Sequence, residues 1–124
     1  MTHEFISLPA SHPYAHAAVL ANQEFAMGVA AADSGNEGRA RVCGRRAVGT
    51  FVQTIAASAG IDYGSHAMAN LREITGDQGL PAEVRDAAER LLGGTRTIAG
   101  GGAYSADPLR DALLIINYFI AAAS

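Results

Sequence analysis

Apolar side chains recur at spacings of three and four along most of this sequence, and glycine or proline breaks the recurrence at intervals suited to one helix each. From Ser11 to about Asp33, Tyr14, Ala17, Ala18, Ala21, Phe25 and Val29 draw one apolar stripe, with Leu20 and Met27 on its flanks. Ser11 is the expected N-cap, and Pro13 fits the first turn, where its missing N–H removes no intrahelical bond. Ser34-Gly35 stops the helix. Residues 1–10, closing on Leu8-Pro9-Ala10, read as an extended arm before it.

Asn36 is suited to cap a second helix, Glu37 complements the positive end of its dipole, and Gly60 ends it. Val48, Phe51, Val52 and Ile55 form its apolar face, while Arg39, Arg41, Arg45 and Arg46 crowd its first half. Gly44 and Gly49 each weaken a helix interior by about 1 kcal/mol relative to alanine, which predicts a close crossing with another backbone there. Ser65 is the expected cap of a short third helix carrying Met68, Leu71 and Ile74 and stopped by Gly76-Asp77. A fourth starts at Pro81, places Val84, Ala87, Ala88, Leu91 and Leu92 on one face, and ends at Gly93-Gly94. Residues 95–106, with Gly100-Gly101-Gly102, show no periodicity and read as a flexible loop.

Asp107-Pro108 opens the last helix, Leu109 to Ala123, with a capping aspartate and a first-turn proline. After Arg110 and Asp111 it is apolar nearly all round, through Leu113, Leu114, Ile115, Ile116, Tyr118, Phe119 and Ile120. Such a helix is expected to be buried on every side. A domain this small has little room to enclose it, so part of its surface is expected to meet a second copy, giving a homodimer through this helix. The expected fold is all-α, an up-and-down bundle of four to five helices in one domain over residues 1–124.

Composition sharpens this picture. The chain is 49% hydrophobic but only 6% aromatic, and alanine dominates the apolar set, which suits closely packed helices better than sheets. Arginine supplies all nine basic residues against twelve carboxylates, a formal net charge of −3 that argues against general nucleic-acid binding. One cysteine, Cys43, excludes an intrachain disulfide, and Met1 to Ile6 lack the basic start and apolar stretch of a secretory signal, so a cytoplasmic location is expected. The most apolar run, Ala112 to Ala123, is well short of the roughly 20 residues a membrane span needs.

From Arg39 onward the order of features resembles the HEPN-like helical domains of prokaryotes. The residues that carry it are a long second helix ending in Ala59-Gly60, the segment Gly64-Ser65-His66-Ala67-Met68-Ala69-Asn70-Leu71, Leu80-Pro81-Ala82-Glu83-Val84 opening the next helix, and the Arg96 loop before an apolar last helix. The resemblance covers roughly two thirds of the chain. Members of that family that cut RNA carry an arginine followed four to six residues later by a histidine. Here no arginine precedes Arg39, and residues 59–61 upstream of His66 are Ala59, Gly60 and Ile61, so the ribonuclease motif is absent. The resemblance then implies the family's other mode, a helical dimer that binds a nucleotide or a partner protein, with a nucleotidyltransferase as the family-type partner.

Several side-chain groupings invite a chemical reading. His12 and His16, four apart, would share a helix face and offer two imidazoles to a metal, but no third ligand is evident and two surface histidines serve equally well. The arginines of the second helix suit phosphate recognition, or else pair with Glu37, Asp33 and acids of the fourth helix. Arg96, the glycine run and Tyr104 lie where loops often carry function, although the same segment serves as a plain hinge. Cys43 and His66 would make a nucleophile and base only if packing joined them, and a helical cysteine is also ordinary core filler. No catalytic signature emerges, so no enzyme activity, metal or cofactor is expected. The functional expectation is a non-catalytic HEPN-like homodimer acting as a nucleotide- or partner-binding subunit, with Arg45, Arg46, His66, Arg96 and Tyr104 as contacts. The alternative is a purely structural protein–protein interaction module without a small ligand.

Overall fold

The computed structural model describes residues 5–93 and 106–123. They form five helices and, among the described residues, no strand: α1 Ala15–Asp33, α2 Glu37–Ser58, α3 Ala67–Gly76, α4 Ala82–Leu92 and α5 Pro108–Ala122. The all-α bundle expected from the spacing of apolar residues is therefore present. None of these helices is long and apolar enough to cross a membrane.

The bundle is organised around α2, which packs against each of the other four helices. Phe51, Val48 and Val52 of α2, Phe25 of α1, Leu71 and Ile74 of α3, Val84 and Leu91 of α4, and Ile115 and Ile116 of α5 all lose essentially their whole surface to one core. Each such side chain contributes about 1.5–3 kcal/mol of burial. Alanines at Ala17, Ala18, Ala21, Ala47, Ala87 and Ala88 fill the closest approaches.

Both interior glycines of α2 sit at such approaches, as their helix-weakening cost implies. A β-carbon on Gly49 would lie 2.9 Å from the Ala67 Cα of α3, and one on Gly44 would lie 2.9 Å from the Pro108 carbonyl oxygen of α5. These two contacts set the starts of α3 and α5 against α2.

Helix α5 departs from expectation. Only Asp111, Ala112, Ile115 and Ile116 are buried; Leu113, Leu114, Tyr118, Phe119 and Ile120 are half-buried, and Asn117 is exposed. The reason is its place at the bundle's edge, against α2 and α4 and scarcely touching α1. The central helix is α2, although Arg39, Val42 and Arg46 on it stay exposed, and its polar residues are a poor guide to that position.

Two helix starts also move. Helix α1 begins at Ala15 with Tyr14 as its cap residue, so Ser11 caps nothing and Pro13 stays outside the helix. The His12 imidazole accepts the Tyr14 N–H at 2.9 Å, and the Ala15 N–H donates to the His12 carbonyl, folding a turn that delays the helix. Helix α3 is capped by His66, whose Nδ1 accepts the Ala69 N–H at 3.3 Å, rather than by Ser65. Asn36 and Asp107 cap α2 and α5 as expected, accepting from the N–H groups of Arg39 and Arg110. Helix α4 starts one residue after Pro81 and closes on Gly93 at φ +94°, a conformation that favours glycine.

Residues 5–9 of the amino-terminal arm hold no helix or strand, and they are docked on α1. Asn22 of α1 accepts the Ile6 N–H at 3.2 Å and donates to the Ile6 carbonyl at 2.9 Å, and Phe5 stacks on Phe25 with ring centroids 4.9 Å apart.

Candidate functional site

The arginine cluster of α2 does not converge on one face. Successive residues point about 100° apart on a helix, and the bundle uses that divergence. Arg45 turns toward α4, where its Nε donates to the Leu91 carbonyl at 2.6 Å, one of the acceptors left open at a helix end. Arg46 turns toward α1 and lies 3.1 Å from the carboxylate of Glu24, a residue buried on the inner face of that helix. Arg45 thus meets a main-chain oxygen of α4, and Arg46 meets Glu24, an acid outside the set Glu37, Asp33 and the acids of α4 expected to pair with the cluster. Arg39 is exposed.

Arg41 lines a cleft of about 410 Å3 between the end of α1 and the starts of α2 and α5, with Ala32, Glu37, Ala40, Asp107 and Leu109. Among the described residues, two carboxylates beside one guanidinium give this cleft no positive excess to draw a phosphate. His66 heads α3 with its ring nitrogen engaged by Ala69, so of the five predicted contacts the structure places three, Arg45, Arg46 and His66, each in a separate local role. Arg96 and Tyr104, with the three glycines, lie outside the described residues.

His12 and His16 do not form a pair on one helix face, because His12 belongs to the turn before α1. Among the described residues no group of three or more histidine, cysteine, aspartate or glutamate side chains could hold a metal ion. Cys43 is buried on the α1 side of α2, with its Cβ 3.1 Å from where a side chain on Gly28 would start. Burial pushes its thiol pKa up from 9.0, and the nearby Glu24 carboxylate adds to the rise, while Arg39 and Arg46 oppose it. A thiol held protonated is a poor nucleophile. His66 sits with α3, which approaches α2 at Gly49, so the structure does not bring the two residues together.

Three polar residues that periodicity passes over carry the bundle's most organised contacts. Asp111 of α5 is buried and receives a two-pronged hydrogen bond from Arg90 of α4, at 3.0 and 2.8 Å. This hydrogen bond raises the Arg90 pKa above its ordinary value despite some desolvation. Asn70 of α3 is wholly buried; its amide donates to the carbonyls of Tyr63 and Gly64 and its oxygen accepts from Gln53 of α2 at 2.6 Å. Glu24 is the third.

Two further clefts are mainly apolar. One, of about 180 Å3, is lined by Val52, Ile55, Ala59, Ile61, Tyr63 and Phe119, among others, at the end of the bundle where α2 and α5 finish. Another follows α5 along Phe5, Val29, Leu109 and Leu113. Comparison with protein-family models, with curated proteins and with solved structures yields no match to this chain.

Proposed function

We propose that this chain is a non-catalytic, HEPN-like helical subunit of the cytoplasm that pairs with a second copy of itself through α5 and works by holding a partner protein. The observation that supports the reading is the outward side of α5. At 100° per residue, Leu113, Asn117 and Ile120 fall on one outer row, with Leu114 to one side of it, away from the buried Asp111, Ala112 and Ile115. Leu113 and Ile120 lie one heptad apart with Asn117 between them, the spacing of a helix seam in which a single polar residue selects register. A half-exposed row of this kind gains burial when a second helix covers it.

Sedimentation velocity at micromolar concentration tests this. The wild-type chain is expected to run as a dimer, and Leu113→Glu with Ile120→Glu as a folded monomer. A wild-type monomer overturns the pairing.

A nucleotide is the second ligand class in this reading, with a nucleotidyltransferase as the family-type partner. The divergence of the arginine pair favours the protein partner, since Arg45 donates to the Leu91 carbonyl of α4 while Arg46 lies against Glu24 of α1, so the two do not converge on one ligand. Calorimetric titration of ATP and a short RNA, with Arg45→Ala and Arg96→Ala alongside, separates the two: no heat from either ligand removes the nucleotide and leaves a purely structural interaction module.

A further inference from the structure

We infer that the apolar groove at the closing ends of α2 and α5 receives an apolar side chain from a cationic segment of a partner protein. This surface is distinct from the outer row of α5, and the inference stands whether or not the chain pairs with itself.

Size and lining define the occupant first. At about 180 Å3 the groove falls below the roughly 300–1,000 Å3 of small-molecule pockets and is on the scale of a single large side chain. Its walls are the aliphatic and aromatic groups of Val52, Ile55, Ile61, Tyr63 and Phe119. Ile61, at the lip, leaves 57% of its surface in solvent, so the rim is apolar as well as the floor. Anchors that fill such pockets dominate the energy of protein contacts.

Charge decides the rest. Tyr63 also lines a neighbouring cleft with Arg72, Glu73, Gly76 and Asp77, so the groove opens on one side toward two carboxylates and one guanidinium. Asp62 adds a third carboxylate next to Tyr63 in the chain; its Oδ1 accepts the Gly64 N–H, and Asp77 accepts the Gly79 N–H in the same way. Helix ends add to this. Ala59 is the C-cap of α2, Gly76 closes α3 and Phe119 lies in the last turn of α5, and none of these last turns carries a basic residue. Each helix end presents about half a negative charge through its open carbonyls. Two positive poles stand against these, the start of α1 at Tyr14 and the start of α3 at His66, and the three helix ends and three carboxylates outnumber them. The Tyr63 phenol registers this field, its pKa raised by burial and further by Asp77 and Glu73. An apolar socket bordered on one side by negative charge is complementary to leucine- or phenylalanine-type side chains flanked by lysine or arginine.

The test uses two synthetic amphipathic peptides of about 12 residues, one of leucine and lysine and one of leucine and glutamate, titrated into the isotope-labelled chain by NMR. The lysine peptide is expected to shift the amides of Ile61, Tyr63 and Phe119 and to weaken about tenfold when salt is raised from about 0.05 to about 0.5 M. Ala59→Arg, at an exposed position of the groove wall, is expected to weaken binding at least about tenfold, whereas Val19→Arg, an equal charge change at an exposed site on α1, leaves it intact. Equal binding of the glutamate peptide, undiminished binding to the Ala59→Arg chain, or no binding of either peptide overturns the inference.

Discussion

At the scale of single residues, the side chains that matter most are polar groups placed inside an alanine-rich core. Cys43 shows how the surroundings set a residue's chemistry. Well below pH 9.0, under about pH 8, the thiol is protonated in folded and unfolded chains alike and adds no pH dependence. As pH rises through 9.0 the unfolded chain releases a proton that the folded chain retains, so stability falls on the way toward the higher folded value. Tyr63 acts in the same direction from 10.0 upward. Urea midpoints are therefore expected to decline between about pH 8 and about pH 10.5, and Cys43→Ala to flatten the earlier part of that decline. At pH 8 a thiol reagent is expected to modify Cys43 slowly in buffer and rapidly in urea. Asn70 is the other decisive residue. Its replacement by alanine strands the Tyr63 carbonyl and the Gln53 amide, and an expected loss of about 2–4 kcal/mol in urea unfolding measures what the three bonds hold together.

At the scale of elements, glycine substitution separates propensity from packing. Gly49→Ala and Gly44→Ala should each gain up to about 1 kcal/mol of helix propensity, yet each puts a methyl 2.9 Å from the main chain of another element. The clash is expected to win, with a net loss of about 1–3 kcal/mol on thermal unfolding. Gly38→Ala, whose nearest neighbour is an Asn36 oxygen at 3.9 Å, is expected to be neutral or slightly stabilising. The same scale shows what the sequence discloses. Asn36, Asp107 and Gly93 mark helix ends because capping is a local matter of one side chain and its next few amides. The two glycine crossings were legible for a related reason, since a helix-weakening residue in an interior implies a compensating contact. His12 and His66 were not legible as turn and cap residues, because imidazole lies outside the usual capping set. Nor were Asp111 and Asn70, whose partners stand 21 and 17 residues away and depend on how helices dock. Of the candidate contacts, Arg45 and Arg46 stood out as a cluster in sequence and are parted by the helical turn between them.

At the scale of the whole molecule, the question is what completes α5. Its inner face is fixed by Ile115 and Ile116 in the core and by Arg90 gripping Asp111, while its outer row of Leu113, Asn117 and Ile120 stays half in water. A pairing that buries this row ties folding to association, because the dimer competes with unfolding by mass action. The thermal midpoint is then expected to rise with protein concentration, by several degrees over about a hundredfold range. Leu113→Glu should abolish that dependence and hold the midpoint near the dilute wild-type value, since a half-exposed glutamate opposes pairing without entering the core. A charge on the groove wall, as in Ala59→Arg, should leave the dependence untouched. Scanning calorimetry of the three chains at two concentrations checks each arm, and a midpoint independent of concentration in the wild type would assign the apolar row of α5 to a different protein rather than to a second copy.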